Sequence, residues 1–375
     1  MRYATYDDID NVKKLWNYCF GDDESFVDYY FRSKYKNENT IVIEKDKKII
    51  SSLQLNQYKI KLNNKVYDTS YIVGVSTLPE ARGKGYMKDI MSYALNEIYK
   101  KGQLVSILMP VDFRLYRKFG YENCYDQIQY TINVDDLKNF KIKDDFFEIY
   151  ESNISYINKE FNVNGNIVKD ESYYKNLIKE IKSENGYIYA NGNGGYLVYF
   201  INKDEIFVRE IYYEDIDYLK SMLKFLYNHN TQSKKIIIMA PINDSIRYVL
   251  DNPKTCDIKI KPFMMGRVIN VFEFLNTLDI KYSEDISCTF SIKDEFIKEN
   301  NSTFKISIKN SKMKVERIDF NGYNILDIKS FSQIAFSYSS LEELVFLNKL
   351  SLDEEAKRFL NSIFNKKINY INEYV

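Results

Sequence analysis

One order of elements occurs twice along this 375-residue chain, and nothing else in the sequence restricts the fold as much. Residues 69–78 read as a strand. Ile90, Met91, Ala94, Leu95 and Ile98 then fall on one face of a helix, with Gly102 placed to end it. Residues 104–109 form an apolar strand stopped by Pro110, and a short helix over 113–119 stops at Gly120. The same strand, helix, strand, proline and helix recur at 205–212, 217–227, 235–240, Pro241 and 244–250. The closest register aligns Leu108-Met109-Pro110 with Met239-Ala240-Pro241. A recurrence of this kind predicts a duplicated domain.

What surrounds the repeat completes the outline. The first stretch predicts a helix carrying Val12, Leu15, Trp16 and Cys19, ended by Gly21. Strands follow over 41–44, 49–55 and 58–62, with turns at 45–48 and 63–64. From about residue 264 the pattern changes to alternating strands at 302–309 and 313–318, with a turn at Asn310 and Ser311, and then helices over 341–347 and 353–364, an α+β domain. Three domains result, 1–128, 129–263 and 264–375, a number the length allows.

Composition removes several classes of chemistry. With 34 Tyr and 24 Phe the chain has ample apolar surface to bury, so disorder is not expected. Lys plus Arg and Asp plus Glu are equal at 53 each, which leaves no basic footprint for nucleic acid or an anionic membrane. One histidine, His229, argues against a His-dependent triad or a two-His metal site, so no metal is expected. In Asn228-His229-Asn230 it reads as a surface-loop residue. Cys19, Cys124, Cys256 and Cys288 form no pattern, no apolar leader opens the chain and no apolar run could span a membrane; a cytoplasmic protein is expected.

The strongest local signal is Leu78-Pro79-Glu80-Ala81-Arg82-Gly83-Lys84-Gly85-Tyr86-Met87, where a strand enters a glycine-containing loop that opens a helix. Gly83 and Gly85 let backbone N–H groups converge, the helix start adds free donors and partial positive charge, and Arg82 and Lys84 add full charge. Such a turn suits a pyrophosphate. Asn191-Gly192-Asn193-Gly194-Gly195, by contrast, lies between two strand patterns and predicts a hairpin turn.

This loop is similar to the acyl-CoA loop of the GNAT acetyltransferase superfamily. Leu115-Tyr116-Arg117-Lys118-Phe119-Gly120-Tyr121 resembles that superfamily's closing helix and strand. Leu15-Trp16-Asn17-Tyr18-Cys19-Phe20-Gly21-Asp22 resembles the opening of the enhanced-intracellular-survival (Eis) type, Met265-Gly266-Arg267-Val268 the entry to its last domain, and 368–375 its aromatic-rich terminus. The resemblance implies two tandem GNAT domains, each a mixed sheet with splayed parallel strands, then a sterol-carrier-protein-like α+β domain.

It also implies an N-acetyltransferase acting directly from acetyl-CoA on an aminoglycoside, polyamine or lysine amine. Backbone groups of Val75 and Thr77 would bond the pantetheine and carbonyl. Arg82 adds charge to the loop, where Gly83, Lys84, Gly85, Tyr86, Met87 and Lys88 would hold the pyrophosphate, and Val111 and Asp112 would touch the cofactor. Tyr116 would protonate the thiolate, and the carboxylate of Val375 would take the amine's proton. The chemistry is compatible: a thiol near pKa ~8.5 and a phenol near ~10 can exchange a proton, and deprotonating an amine at pH 7 costs roughly 3–4 kcal/mol without a base.

Trp16 either lines the acceptor cavity, as the resemblance implies, or packs in the core. The second repeat has Tyr213-Glu214-Asp215-Ile216-Asp217 where the first has its basic loop, and is expected to bind no CoA. A hexamer is implied by the resemblance alone. The runner-up readings are a non-catalytic acyl-CoA or lipid-binding protein, and a GNAT peptide transferase that uses aminoacyl-tRNA.

Overall fold

The computed structural model describes residues 1–278, 285–309 and 312–374. The turn expected at Asn310 and Ser311, and Val375, lie outside the described residues. Helix Ile9–Phe20 buries Val12, Leu15 and Trp16 on one face and ends at Gly21, whose φ of 67° is the left-handed conformation that glycine adopts without strain. Helix Glu24–Ser33 follows. Strands Thr40–Lys45, Lys48–Leu62 and Lys65–Thr77 then run as a meander. Its turns carry positive φ at Asp46, Lys47, Asn63 and Asn64, as tight hairpins require. The two strands expected over 49–55 and 58–62 are one continuous strand, because the pairing to Lys65–Thr77 carries through residues 56 and 57.

Both copies of the repeat are present, but they are not side by side as separate sheets. A single larger sheet runs from Arg2–Tyr3 through the meander to Val105–Leu108, and then through Asp257–Val268, Glu122–Asn133, Lys235–Ala240, Glu205–Tyr213, Gly195–Asn202, Tyr187–Asn191 and Phe146–Glu148. Strand Asp257–Val268, which spans the expected boundary at 263, lies between two strands of the first domain. It pairs antiparallel with Val105–Leu108 (Met265 opposite Leu108) and with Glu122–Asn133 (Ile258 opposite Tyr130). Its register shifts around Pro262, which has no N–H for a ladder. The hairpin expected at 191–195 joins Tyr187–Asn191 to Gly195–Asn202. His229 lies in the turn after helix Ile216–Tyr227, as expected, but is half-buried: its ring packs edge-on against Tyr199 and Phe225, and Nδ1 lies 3.1 Å from the Phe225 carbonyl.

The last domain has a four-stranded sheet, ordered Lys312–Ile318, Thr303–Lys309, Ile286–Lys293 and Ile325–Asp327. Helices Ile328–Ala335, Leu341–Phe346 and Glu354–Ile363 complete it. Phe290, Phe304, Phe331, Phe359 and Leu360 are buried in its core. Beyond these helices the chain turns back: Tyr370, Ile371, Asn372 and Glu373 are buried against strands of the first and middle domains.

Two buried ionic groups join the domains. Arg267 on the inserted strand and Asp294 of the last domain are fully buried, with Nη2 2.8 and 2.6 Å from the two carboxylate oxygens. Arg267 also donates to the Phe119 carbonyl, and Asp294 accepts from the Phe296 and Ile297 amides and from Asn300. Glu180, on helix Glu171–Ser183 of the middle domain, is shared by Lys34 and Arg209, each at 2.6 Å. Burial by itself would raise the Glu180 carboxyl, but the two cations outweigh it and hold the group at about 2.

Replacing either Arg267 or Asp294 with Ala strands a buried charge. Each single variant is expected to lose about 3–5 kcal/mol in urea unfolding, and the Arg267→Met/Asp294→Leu double variant less than the sum of the two single changes. Because the folded-state pKa of Glu180 is depressed, its stabilisation is present above about 4.5 and is lost as pH falls toward about 2. Thermal unfolding followed from pH 7 to pH 3 is therefore expected to fall less steeply for Glu180→Gln than for the parent, from a lower value at pH 7.

Candidate active site

The site begins where two parallel strands part. Lys65–Thr77 pairs with Val105–Leu108 only from Thr69 opposite Val105 to Ile72 opposite Leu108. Past that pair the first strand continues to Thr77, while the second ends and turns at Met109 and Pro110. The continuing strand is reshaped at Gly74, where φ is +59° and a Cβ would sit 2.1 Å from Gln54 Oε1 and 2.4 Å from the Trp16 ring. Only glycine fits there. Past Ile72 the residues Val73, Gly74 and Val75 have no partner on the Val105–Leu108 side, and this end of the parallel pairing is termed the wedge.

The glycine-containing loop closes one end of the wedge. Arg82 Nε donates to the Thr77 carbonyl at 3.1 Å and Lys84 Nζ to the Glu80 carbonyl at 2.8 Å, so both basic side chains brace the loop from within. Gly83 and Gly85 have φ of +75° and +87°, and a Cβ on either would meet no atom within 4 Å. These glycines serve backbone conformation and leave an open concavity. Gly85 caps helix Tyr86–Lys100 without any side-chain cap, which leaves the first-turn amides of Tyr86, Met87 and Lys88 for an anion.

The middle domain contains the same wedge and a different end to it. Glu205–Tyr213 pairs with Lys235–Ala240 only as far as Val208 opposite Ile238. Here, however, Asp215 caps helix Ile216–Tyr227 and accepts from the amides of Asp217 and Tyr218, both at 2.9 Å. The donors that an anion would use are already taken by a carboxylate.

Tyr116 lies on helix Phe113–Arg117, just past the first wedge. It is buried, its hydroxyl has no protein hydrogen-bond partner among the described residues, and burial pushes the phenol up to about 12. Asp112 caps that helix through the Arg114 amide and pairs with the Arg114 side chain at 2.6 Å, which holds its carboxyl at about 2. Val111 is 78% exposed. Trp16 belongs to the core: it is buried, stacks on Tyr30 at 4.7 Å and donates to Asp22 at 2.8 Å.

Several residues at the site had no local sequence signal. A cavity of about 710 Å³ opens between the first and middle domains, with Lys34, Tyr58, Tyr173, Glu180 and Glu373 among its lining. Tyr71, one residue before the last parallel pair, donates to the Glu373 carbonyl at 3.3 Å, which fixes the end of the chain beside the wedge. The Glu373 carboxylate is 2% exposed and accepts from Tyr173 at 2.5 Å. Burial raises its pKa. Among the described residues it has no cation within salt-bridge distance, although of the other buried carboxylates Glu180 has two and Glu210 one. No group of His, Cys, Asp and Glu among the described residues is arranged to hold a metal ion, and no described helix is long and apolar enough to cross a membrane.

Comparison with known proteins agrees with this geometry. Residues 1–124 and 165–268 each match an acetyltransferase (GNAT) domain family, and residues 271–372 match the sterol carrier protein domain family. No curated protein matches the chain in sequence. Among solved structures it resembles a conserved Enterococcus faecalis protein described as a probable N-acyltransferase (18% identity, TM-score 0.87, 100% of this chain and 98% of that one). It also resembles a GCN5-related N-acetyltransferase from Anabaena variabilis (20%, 0.84, 100% and 99%) and Eis1 from Mycobacterium abscessus (13%, 0.79, 99% and 98%). The chain thus carries two GNAT acetyltransferase domains joined in one sheet and then a sterol carrier protein domain, in a fold shared with these solved structures.

Proposed function

We propose that the first domain binds acetyl-CoA and transfers its acetyl group directly to a cationic primary amine, of the aminoglycoside, polyamine or lysine side-chain class. The observation that carries this reading is that the first domain's parallel pairing ends at Ile72 and Leu108, with the longer strand running on toward a helix start at Gly85 that has no side-chain cap and the shorter one toward the helix that carries the buried Tyr116. GNAT acetyltransferases use acetyl-CoA, and the residues present fit it. The first-turn amides of Tyr86, Met87 and Lys88, with Gly83, Lys84 and Gly85, receive the pyrophosphate. The backbone at Val75 and Thr77, where the Thr77 carbonyl already takes a bond from Arg82 Nε, would orient the pantetheine, and Val111 and Asp112 would border the far side.

The amine nitrogen attacks the thioester carbonyl, the new C–N bond forms and the C–S bond breaks. Tyr116, protonated throughout the physiological range, stabilises the departing thiolate by hydrogen bonding and supplies its proton as the acylated nitrogen loses one. The base in this reading is the terminal carboxylate of Val375, which lies outside the described residues.

The acceptor enters the 710 Å³ cavity. Glu373 takes a hydrogen bond from Tyr173 and feels Lys34, Lys169 and Arg209 at longer range, but among the described residues no cation pairs with it directly, and an incoming ammonium can do so. This supports a cationic acceptor over a neutral one. A hexameric assembly, supported by the family resemblance, and a cytoplasmic location, supported by the four free cysteines, complete the proposal.

Thiol release from acetyl-CoA, measured against a panel of aminoglycosides, polyamines and lysine peptides, tests the reading. Tyr116→Phe is expected to lower kcat by roughly 10²–10⁴ with acetyl-CoA affinity unchanged. A chain extended beyond Val375 is expected to lose turnover; unaffected turnover would remove the terminus as base. Calorimetric titration with acetyl-CoA is expected to give one site per chain. In Gly85→Val the affinity is expected to fall about tenfold or more, because a β-branched residue at this φ is strained. Two sites per chain would contradict the assignment of the middle domain.

A further inference from the structure

The middle domain's wedge is not vacant: the chain's own last residues meet it. Parallel pairing there ends at Val208 opposite Ile238, and Arg209 is the first residue beyond. Its carbonyl accepts the side-chain amide of Asn372 at 2.9 Å. The same amide donates to Glu210 Oε2 at 2.9 Å, and Glu210 also takes Lys169 at 3.1 Å and the Tyr196 hydroxyl. One residue further along the tail, Tyr71 of the first domain's splayed strand donates to the Glu373 carbonyl. Beyond that, the Arg209 guanidinium lies 4.7 Å from the Tyr374 ring centroid. Between the two wedges, Gln127 on Glu122–Asn133 donates to the Ile371 carbonyl at 3.1 Å.

Successive tail residues are therefore held by both domains at once: Asn372 by Arg209, Glu210 and Gln127, Glu373 by Tyr71 and Tyr173, and Tyr374 by Arg209 and Gln127. In the first domain no tail residue bonds the backbone beyond the last parallel pair among the described residues. In the middle domain the equivalent backbone binds Asn372, and the helix start that would hold a pyrophosphate is capped by Asp215.

We infer that the middle domain's wedge is a socket for the chain's own terminal segment, and that Asn372 is the positioning residue that sets this segment, Glu373 included, against the acetyl-transfer site. The inference rests on the proposed acetyl transfer for its kinetic consequence and on the tail's contacts for its structural one. Asn372 is 5% exposed and its amide makes two hydrogen bonds at once, a geometry that Ala cannot supply and Gln supplies with a longer reach. Misplacing a group next to a reacting centre by about 1 Å costs up to about a hundredfold.

The test combines kinetics and hydrogen exchange on the full-length protein. On whichever amine of the panel gives turnover, Asn372→Ala is expected to lower kcat between about ten- and a hundredfold while the KM for acetyl-CoA stays within about twofold, and Asn372→Gln to recover part of the loss. A general loss of folding would not divide in this way. In the parent, peptide amides of residues 368–374 are expected to be protected from exchange without acetyl-CoA and no more so with it. A kcat for Asn372→Ala within about twofold of the parent, or protection that appears only on adding acetyl-CoA, would overturn the inference. If Asn372→Ala does not fold, the exchange of the parent with and without acetyl-CoA decides the question. If no amine gives turnover in the parent, the acetyl-transfer reading fails, and the exchange measurement still reads the socket by itself.

Discussion

The architecture depends on one strand leaving its own domain. Asp257–Val268 follows the second copy of the repeat in sequence but inserts between Val105–Leu108 and Glu122–Asn133 of the first. An antiparallel ladder on both edges makes it a central strand, and its interruption at Pro262 falls where a proline is tolerated as an irregularity. Two domains that could have associated through a modest polar surface instead share one sheet. Arg267, near the end of this strand, then reaches both the Phe119 carbonyl of the first domain and Asp294 of the third. A buried ion pair of this kind contributes little net stability against an apolar alternative, but it tolerates few arrangements, so it favours one docking of the three domains.

Fusion has a consequence for function. The two wedges lie in one sheet, separated by Asp257–Val268 and Glu122–Asn133, so a short stretch of chain can contact both. The tail does so, with Asn372 on one side and Glu373 on the other. Duplication supplied two openings between parallel strands. Opposite charge at the two helix starts separates them: amides left free after Gly85 in one, amides taken by Asp215 in the other.

The buried charges near the cavity follow the same division. Glu180 is neutralised by cations from both domains and acts as a clamp. Glu373, in the same cavity lining, takes a hydrogen bond from a phenol and has no cation in direct contact among the described residues. Like residues in one cavity thus differ in what remains available to a ligand, and Trp16 shows the converse, an aromatic whose contacts with Tyr30, Asp22 and the Gly74 backbone leave it to packing.

What the sequence by itself determined is what short-range chemistry decides. The repeat, the helix faces at 90–98 and 219–226 and the glycine loop that opens the first of these helices all depend on neighbours a few residues away, and all are present, whereas the boundary expected at 263 is crossed by strand Asp257–Val268. The merged strand Lys48–Leu62 was not legible, because its continuity is set by the facing strand rather than by its own alternation. Tertiary structure alone decided the strand exchange and the tail. Tyr71 and Glu373 are 302 positions apart, and Asn372 and Arg209 163. Asn, Glu and Tyr are common residues in this chain and carry no pattern that marks them for such contacts. Their meaning comes from the backbone groups left unpaired where parallel strands part, and those groups exist only once the sheet has formed.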